Sequence, residues 1–303
     1  MTTSSNPSNT APAAMAETRP MYWSVRRELW ENRSLYIAPL AVAAAVLLAF
    51  LISTIRMPGK MRALSSLDPA QQRHWIVMPY NAAGGLVILT AFLVGVFYCL
   101  DALNSERRDR SILFWKSLPV SDRTTVLSKA GIPLVVLPLL IFAVIVATQW
   151  IILLLSLAIL LINGVSIATL WARLPLFQMQ LALLYALVSI ALWHAPIYAW
   201  LLLVSAWARR AAFLWAVLPF LAVGVLERIA FNTSRFGSLL KYLSIGWLER
   251  GFASGPKGDV PANPLLELTP GNLLSTPGLW IGLAFAAVLL AAAVRLRRHR
   301  EPI

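Results

Sequence analysis

The chain has 303 residues, 59 % of them hydrophobic and only 13 % charged, with a mean hydropathy of +0.71, which excludes an ordinary soluble domain and indicates a membrane protein. A net charge of +13 would suggest nucleic acid in a soluble protein; here Lys and Arg flank apolar runs and hold them against anionic lipid, so no nucleic-acid partner is read. The single cysteine, Cys99, excludes a disulfide framework or a Cys-rich metal site within the chain.

Residues 1–19 are rich in Ser, Thr, Asn, Pro and Ala and read as a disordered tail. They lack the basic stretch and adjoining apolar stretch of a signal peptide. Residues 20–34, PMYWSVRRELWENRS, read as an interfacial amphipathic helix. Met21, Tyr22, Val25 and Leu29 share one face at 100° per residue, with Trp23 and Trp30 at its margin. Arg27, Glu28 and Glu31 take the other side, although a polar extension of the first span fits the same residues.

Residues 35–294 read as a domain of six transmembrane helices. The first is Leu35–Ile55, long enough at 1.5 Å per residue to cross a hydrocarbon core of about 30 Å. A polar loop with four prolines or glycines among its members, Arg56–Tyr80, leads to the second span, Asn81–Leu103. There Gly84, Gly85 and Gly95 offer close-packing surfaces. A charged loop, 104–129, leads to the long third run, Gly131–Ile162, read as one helix bent near Pro133 or Pro138. A short connection, Asn163–Gln178, precedes the fourth span, Met179–Val204, which contains His194 and Pro196. The turn Ser205–Ala211 carries Arg209 and Arg210, and the fifth span, Ala212–Leu226, is short. The segment 227–277 follows. Its first half is amphipathic and aromatic and reads as a pair of short helices dipping into the outer leaflet; its second half is loop-like. The sixth span is Gly278–Val294, and 295–303 is a basic tail.

Sixteen basic residues fall in the termini and the two short loops on their side, against ten spread over the longer opposite loops. The positive-inside rule therefore puts both termini and the 104–129 loop in the cytoplasm.

Catalytic motifs are missing. GFASGPKG at 251–258 has the wrong spacing for a nucleotide-binding loop, and Pro256 breaks the Gly-Lys pair. There is no HExxH, no GxSxG and no paired-carboxylate element. His194 is a lone histidine within a span, a functional candidate by default, but a hydrogen-bonded packing role is favoured because no carboxylate or cysteine stands near it in sequence. Carboxylates occur only at span ends, so an ion-driven carrier is poorly supported. No metal or cofactor site is read on this chain.

The stretch 101–129 stands apart. Ile112, Leu113, Phe114 and Trp115 lie among Glu106, Arg107, Arg108, Asp109, Arg110, Lys116, Asp122, Arg123 and Lys129. Ser111–Ser117 fits two helical turns, Pro119 stops them, and Ser121 with Asp122 has the chemistry of a new helix start. A short charged element with an aromatic centre, braced between two spans, suits docking to a protein.

Here the sequence resembles the membrane subunits of ABC-2 type transporters. The resemblance rests on Glu106 at the end of the second span, on RSILFWKSLPVSD at 110–122 and on Lys129 opening the third span. Six spans, an N-terminal interfacial helix and a large outer segment between spans five and six support it. Arg110-Ser111 stands where family members often carry Gly-Thr. The resemblance implies a permease subunit of an ATP-driven exporter in the bacterial cytoplasmic (inner) membrane. It implies no enzymatic activity on this chain. Glu106, Arg107, Arg108, Asp109, Arg110, Ser111, Phe114, Trp115 and Lys116 would form the contact of a coupling helix with a separate ATPase subunit. Two such subunits would carry ATP and Mg. A second permease chain would complete the transporter, a homodimer being the default over a heterodimer. The 227–252 segment would form re-entrant helices at an exit gate, with Glu227, Arg228, Phe231 and Phe236 as gate candidates. The alternatives are an intramembrane lipid-modifying enzyme using His194 and a membrane scaffold without transport.

Overall fold

The computed structural model describes residues 20–64, 66–109, 121–253 and 263–299. Among these the regular structure is helical, and the only β pairing is an isolated antiparallel bridge between Phe252 and Leu268. Six helical segments are long and apolar enough to cross a membrane: Ser34–Leu64, Pro69–Arg108, Asp122–Ile162, Ala168–Trp207, Ala212–Phe231 and Pro277–His299. The number agrees with the hydropathy pattern. Several boundaries do not.

Helix α1 (Pro20–Glu31) leads into α2 (Ser34–Ser53), which continues through a 3-10 turn at Thr54–Arg56 into α3 (Met57–Leu64). Helix α4 (Pro69–Asp101) begins where the side chain of Asp68 accepts from the Ala70 amide at 3.3 Å, with Pro69 at the first helical position. The expected polar loop over 56–80 is therefore largely helix. Its prolines misled because Pro69 starts a helix and Pro79 lies inside one. Pro79 forfeits one ladder bond, but its neighbours Ile76, Val77, Tyr80 and Ala83 are buried and hold the helix together.

A two-residue elbow gives α5 (Asn104–Arg108). Helix α6 (Asp122–Gly131) opens at Ser121, whose hydroxyl accepts from the Thr124 amide at 3.1 Å, as its sequence chemistry indicates. A π-helical turn at Ile132–Val136 joins it to α7 (Leu137–Ile162). The ladder defect thus falls at Pro133 rather than Pro138.

The connection after α7 holds α8 (Ala168–Arg173), and α9 runs from Leu176 to Trp207. Helix α10 (Ala212–Phe231) and α11 (Arg235–Gly251) form a hairpin around Asn232, which takes a left-handed φ of 49°. The 227–252 stretch is the last turn of α10 plus the single helix α11, not two separate short helices. Helices α12 (Pro270–Ser275) and α13 (Pro277–His299) end the described chain. The basic residues 295–299, expected as a tail beyond the last span, extend α13 by more than a turn.

Helix α9 is the centre of the bundle and packs against α4, α7, α11 and α13. Of its most apolar window 61 % is buried, against 6 % for α10, so α10 stands at the periphery. Small residues allow close approach only in part. A Cβ on Gly95 would lie 3.3 Å from Leu137 and 3.4 Å from Tyr198, and one on Gly84 would lie 3.7 Å from Ile145. Gly85 faces open space. Two apolar clusters stack along the bundle. One joins Leu35, Tyr98, Cys99, Ile132 and Tyr198; the other joins Leu64, Ile76, Tyr80, Ile152 and Leu170.

Candidate functional site

The end of the bundle that carries the 110–120 segment contains a buried ion cluster. It starts on α1. Glu28 is 1 % exposed, whereas Met21, Tyr22, Trp23 and Trp30 are all exposed. The two faces are not cleanly divided between core and surface: Val25 and Leu29 of the apolar face pack on the core while Met21 and Tyr22 stay exposed, and Glu28 of the charged side turns inward. The outer aromatics are held by Arg26, whose guanidinium lies 4.7 Å from the Trp30 ring and 5.3 Å from the Trp23 ring.

Glu28 is met by one cation and one hydroxyl from outside its helix and by Arg27 from within it. Lys129 Nζ on α6 donates to Glu28 Oε1 at 2.7 Å, and the Tyr98 hydroxyl on α4 donates to Glu28 Oε2 at 2.8 Å. Arg27 Nη2 lies 3.0 Å from Glu28 Oε1 and 3.1 Å from Glu106 Oε1. Glu106, on α5, is also met by Lys129 Nζ at 3.2 Å and by Arg297 Nη2 at 3.0 Å. Arg297 Nη1 reaches Asp122 Oδ1 at 3.5 Å, and Arg27 Nε reaches Glu31 Oε1 at 3.5 Å at the rim. Three cations thus face three carboxylates from four helices, α1, α5, α6 and α13, with the Tyr98 hydroxyl added from α4 and Glu31 on the outside. Burial alone would raise the carboxyl of Glu28, but the Lys129 ammonium, its hydrogen bond, Arg27 and Tyr98 together hold it below the usual carboxylate range. Charges this deep are tolerated because each is paired and hydrogen-bonded.

The same end is tied a second time. Arg107 Nη1 donates to the carbonyls of Ala206 at 2.8 Å and Ala208 at 3.3 Å, closing the C-terminus of α9. Ser205 Oγ accepts from the amides of Leu103 and Asn104, each at 3.0 Å, and pins the elbow between α4 and α5.

No protein-family model, curated protein or solved structure matches this chain.

Glu106 and Arg107 were expected to touch a partner. They are 7 % and 4 % exposed, and within the chain Glu106 meets Lys129 and Arg297 while Arg107 binds the α9 carbonyls. Arg108 and Asp109 are exposed and paired with each other at 3.3 Å. Arg110, Ser111, Phe114, Trp115 and Lys116 lie outside the described residues. The sequence reading missed Glu28, Tyr98 and Arg297 as partners of Glu106 and Lys129. A signal was present: isolated charges beside long apolar runs in four separate segments, which need each other once the runs pack.

The gate candidates gather at the α10–α11 hairpin. Glu227 accepts from Thr233 Oγ1 at 2.6 Å and from the amides of Arg235 and Phe236 at 2.7 and 2.8 Å. It caps the N-terminus of α11. Phe236 stacks on Phe220 with ring centroids 6.1 Å apart, while Arg228 and Phe231 are exposed. Glu227, Phe231 and Phe236 line one open groove of about 550 Å³ between the two helices.

Helix α11 is seated on α9 by two side chains. Trp193 Nε1 donates to the Tyr242 carbonyl at 3.1 Å, and His194 Nε2 lies 3.1 Å from the Ser244 carbonyl. His194 Nδ1 lies 2.9 Å from the Ile190 carbonyl, so both ring nitrogens face backbone oxygens. Among the described residues no group of three His, Cys, Asp or Glu side chains could hold a metal ion.

Proposed function

We propose that this chain is the permease subunit of an ATP-driven exporter of the ABC-2 type, working through a separate ATPase subunit. One observation carries the reading. Both roots of the 110–120 segment are clamped into the bundle, α5 through Glu106 and Arg107, and α6 through Asp122 and Lys129. A force applied to that segment is passed at once to α1, α9 and α13. A loop that merely anchors topology has no need of such clamping.

In this reading the segment around Trp115 is the coupling helix, with Arg108, Asp109, Arg110, Ser111, Phe114 and Lys116 around it. Glu106 and Arg107 transmit rather than touch. The clamped end and both termini face the cytoplasm of a bacterial inner membrane, and two ATPase copies supply ATP and Mg. A second permease chain, in a homodimer, completes the pathway. Helix α11 is the re-entrant element, with the α10–α11 groove at the exit side. The enzyme alternative has less support, since His194 directs both nitrogens at backbone carbonyls.

The test is co-expression of the full chain with an ATPase encoded beside it. The pair copurifies, Trp115→Ala weakens the pairing, and Glu106→Gln keeps the pairing while lowering transport-coupled ATP hydrolysis. A chain that never copurifies with any neighbouring ATPase sinks the exporter reading. A phenotype unchanged when the ATPase site is inactivated supports a scaffold instead.

A further inference from the structure

The opposite end of the bundle holds a cleft that the exporter reading does not use. Along α4, Ile76 and Tyr98 are separated by about 33 Å of helix at 1.5 Å per residue. The cleft around Ile76 is therefore far from the ion cluster at Tyr98. It has a volume of about 510 Å³, within the range of small-molecule sites, and is walled by α2, α3, α4, α7 and α8.

Its lining is graded. Lys60, Trp75 and Met78 stand exposed at the mouth, while Ile76, Tyr80, Ser156 and Leu170 form a buried floor. The floor is not purely apolar. Tyr80 is 2 % exposed, and its hydroxyl sits toward Ser156 without a hydrogen bond of standard geometry. Ser156 Oγ is already committed to the Ile152 carbonyl at 2.7 Å. A buried hydroxyl left in this state favours a ligand that brings an oxygen acceptor.

The mouth carries a single charge: of the residues lining the cleft only Lys60 is ionic, and it is a cation. Trp75 at the rim is the amphipathic ring that membrane–water boundaries favour. An apolar slot with a polar floor and a cationic mouth at that boundary matches one class of ligand, an anionic amphiphile with a long hydrocarbon chain.

We propose that this cleft binds one anionic membrane phospholipid, its phosphate held at Lys60, an ester oxygen accepting from the Tyr80 hydroxyl and its acyl chain lying beside Ile76 and Leu170. Such a lipid would pack α3 against α4 and α7 at the end of the bundle that the ion cluster leaves untied. The proposal needs only the membrane-spanning character of these helices and stands whether or not an ATPase partner is found.

The experiment is native mass spectrometry of the full chain in detergent, titrated with phosphatidylglycerol or with phosphatidylcholine of the same chains. Wild type retains one phosphatidylglycerol per chain in preference to phosphatidylcholine. Lys60→Glu weakens phosphatidylglycerol about tenfold, the scale of one or two surface charges acting on an anionic head group. Ala63→Trp, placed at an exposed position of the lining, removes retention of both lipids. Equal retention of the two lipids by wild type would make the cleft ordinary annular surface and overturn the proposal. So would retention unchanged in both variants. A Lys60→Cys chain that cross-links to a second copy, with lipid excluded, would assign the cleft to a dimer contact and equally overturn it.

Discussion

Lys129 Nζ and Glu28 Oε1 meet at 2.7 Å across 101 residues of sequence, each side chain no more than 3 % exposed. The pair joins the first helix of the chain to the entrance of the third span. It is the tightest contact in the ion cluster and the one that fixes where α1 lies. Removing one charge leaves the other buried without its closest partner. Lys129→Met or Glu28→Met should each cost about 3–5 kcal/mol of stability, read as thermal or denaturant unfolding in detergent. The double variant should lose clearly less than the sum of the two, because the stranded charge is then gone. Additive losses would mean that the two groups do not couple.

Acid should loosen α1 for the same reason. The groups facing Glu28 are Arg27 and Glu31 on its own helix, Tyr98, Glu106 and Lys129. The folded pKa of Glu28 lies below its unfolded value of about 4.3. Its contribution is therefore complete above that value and is lost as pH falls through the folded pKa. Glu31 runs the other way: burial raises it more than Arg27 lowers it, so its contribution is present at low pH and fades as pH rises through its folded pKa. The acid loss should dominate, because Glu28 is the buried member of the two. The protection of amides 20–31 against hydrogen exchange, relative to the unfolded chain at the same pH, should fall below about pH 4, and Glu28→Gln should flatten that acid limb. An acid limb unchanged in Glu28→Gln would assign it to another carboxylate.

The seat of α11 depends on the absence of a side chain. A Cβ on Gly246 would lie 2.7 Å from Trp193 Cζ2, closer than carbon atoms pack. Gly246→Ala should cost about 1–3 kcal/mol by overpacking. Pairing it with Trp193→Leu should recover part of the loss, since the smaller residue vacates the same space. Thermal unfolding in detergent and protease sensitivity of the 232–253 stretch report the outcome, and a neutral Gly246→Ala would show that α11 moves freely on α9.

Glu227 should behave as a cap. Glu227→Ala removes the acceptor of three hydrogen bonds at the start of α11. Amide exchange at Arg235 and Phe236 should accelerate severalfold while the rest of α10 is unaffected. Glu227→Asp, shorter by one methylene, should restore only part of the protection. If transport fails in Glu227→Ala with those amides still protected, the residue acts at a gate rather than as a cap.

Much of this architecture could be read from the chain alone. Six spans follow from apolar length, since a helix crossing hydrocarbon must satisfy its backbone internally and present apolar side chains throughout. The start at Ser121 follows from local chemistry, as does a ladder defect near Pro133 or Pro138, which the structure places at Pro133. The polar stretch 56–80 misled because proline can end, start or lie within a helix, and the sequence does not say that Pro69 starts one and Pro79 sits inside it. The amphipathic pattern of α1 did not reveal the pairing of Glu28, because a helix with both an aromatic and a charged face gives no sign of which charges find partners.

Tertiary structure alone decided the partners. Glu28, Glu106, Lys129 and Arg297 lie in four separate stretches of sequence, and each by itself looks like a solvated flank of an apolar run. Packing the runs together removes water from all four at once, and only mutual pairing then offsets the loss of hydration. Burial of this kind is a property of several segments together. Local pattern gave the helices their lengths and ends; the convergence of distant charges determined that Glu106 and Arg107 face inward and that the 110–120 segment is held at both roots.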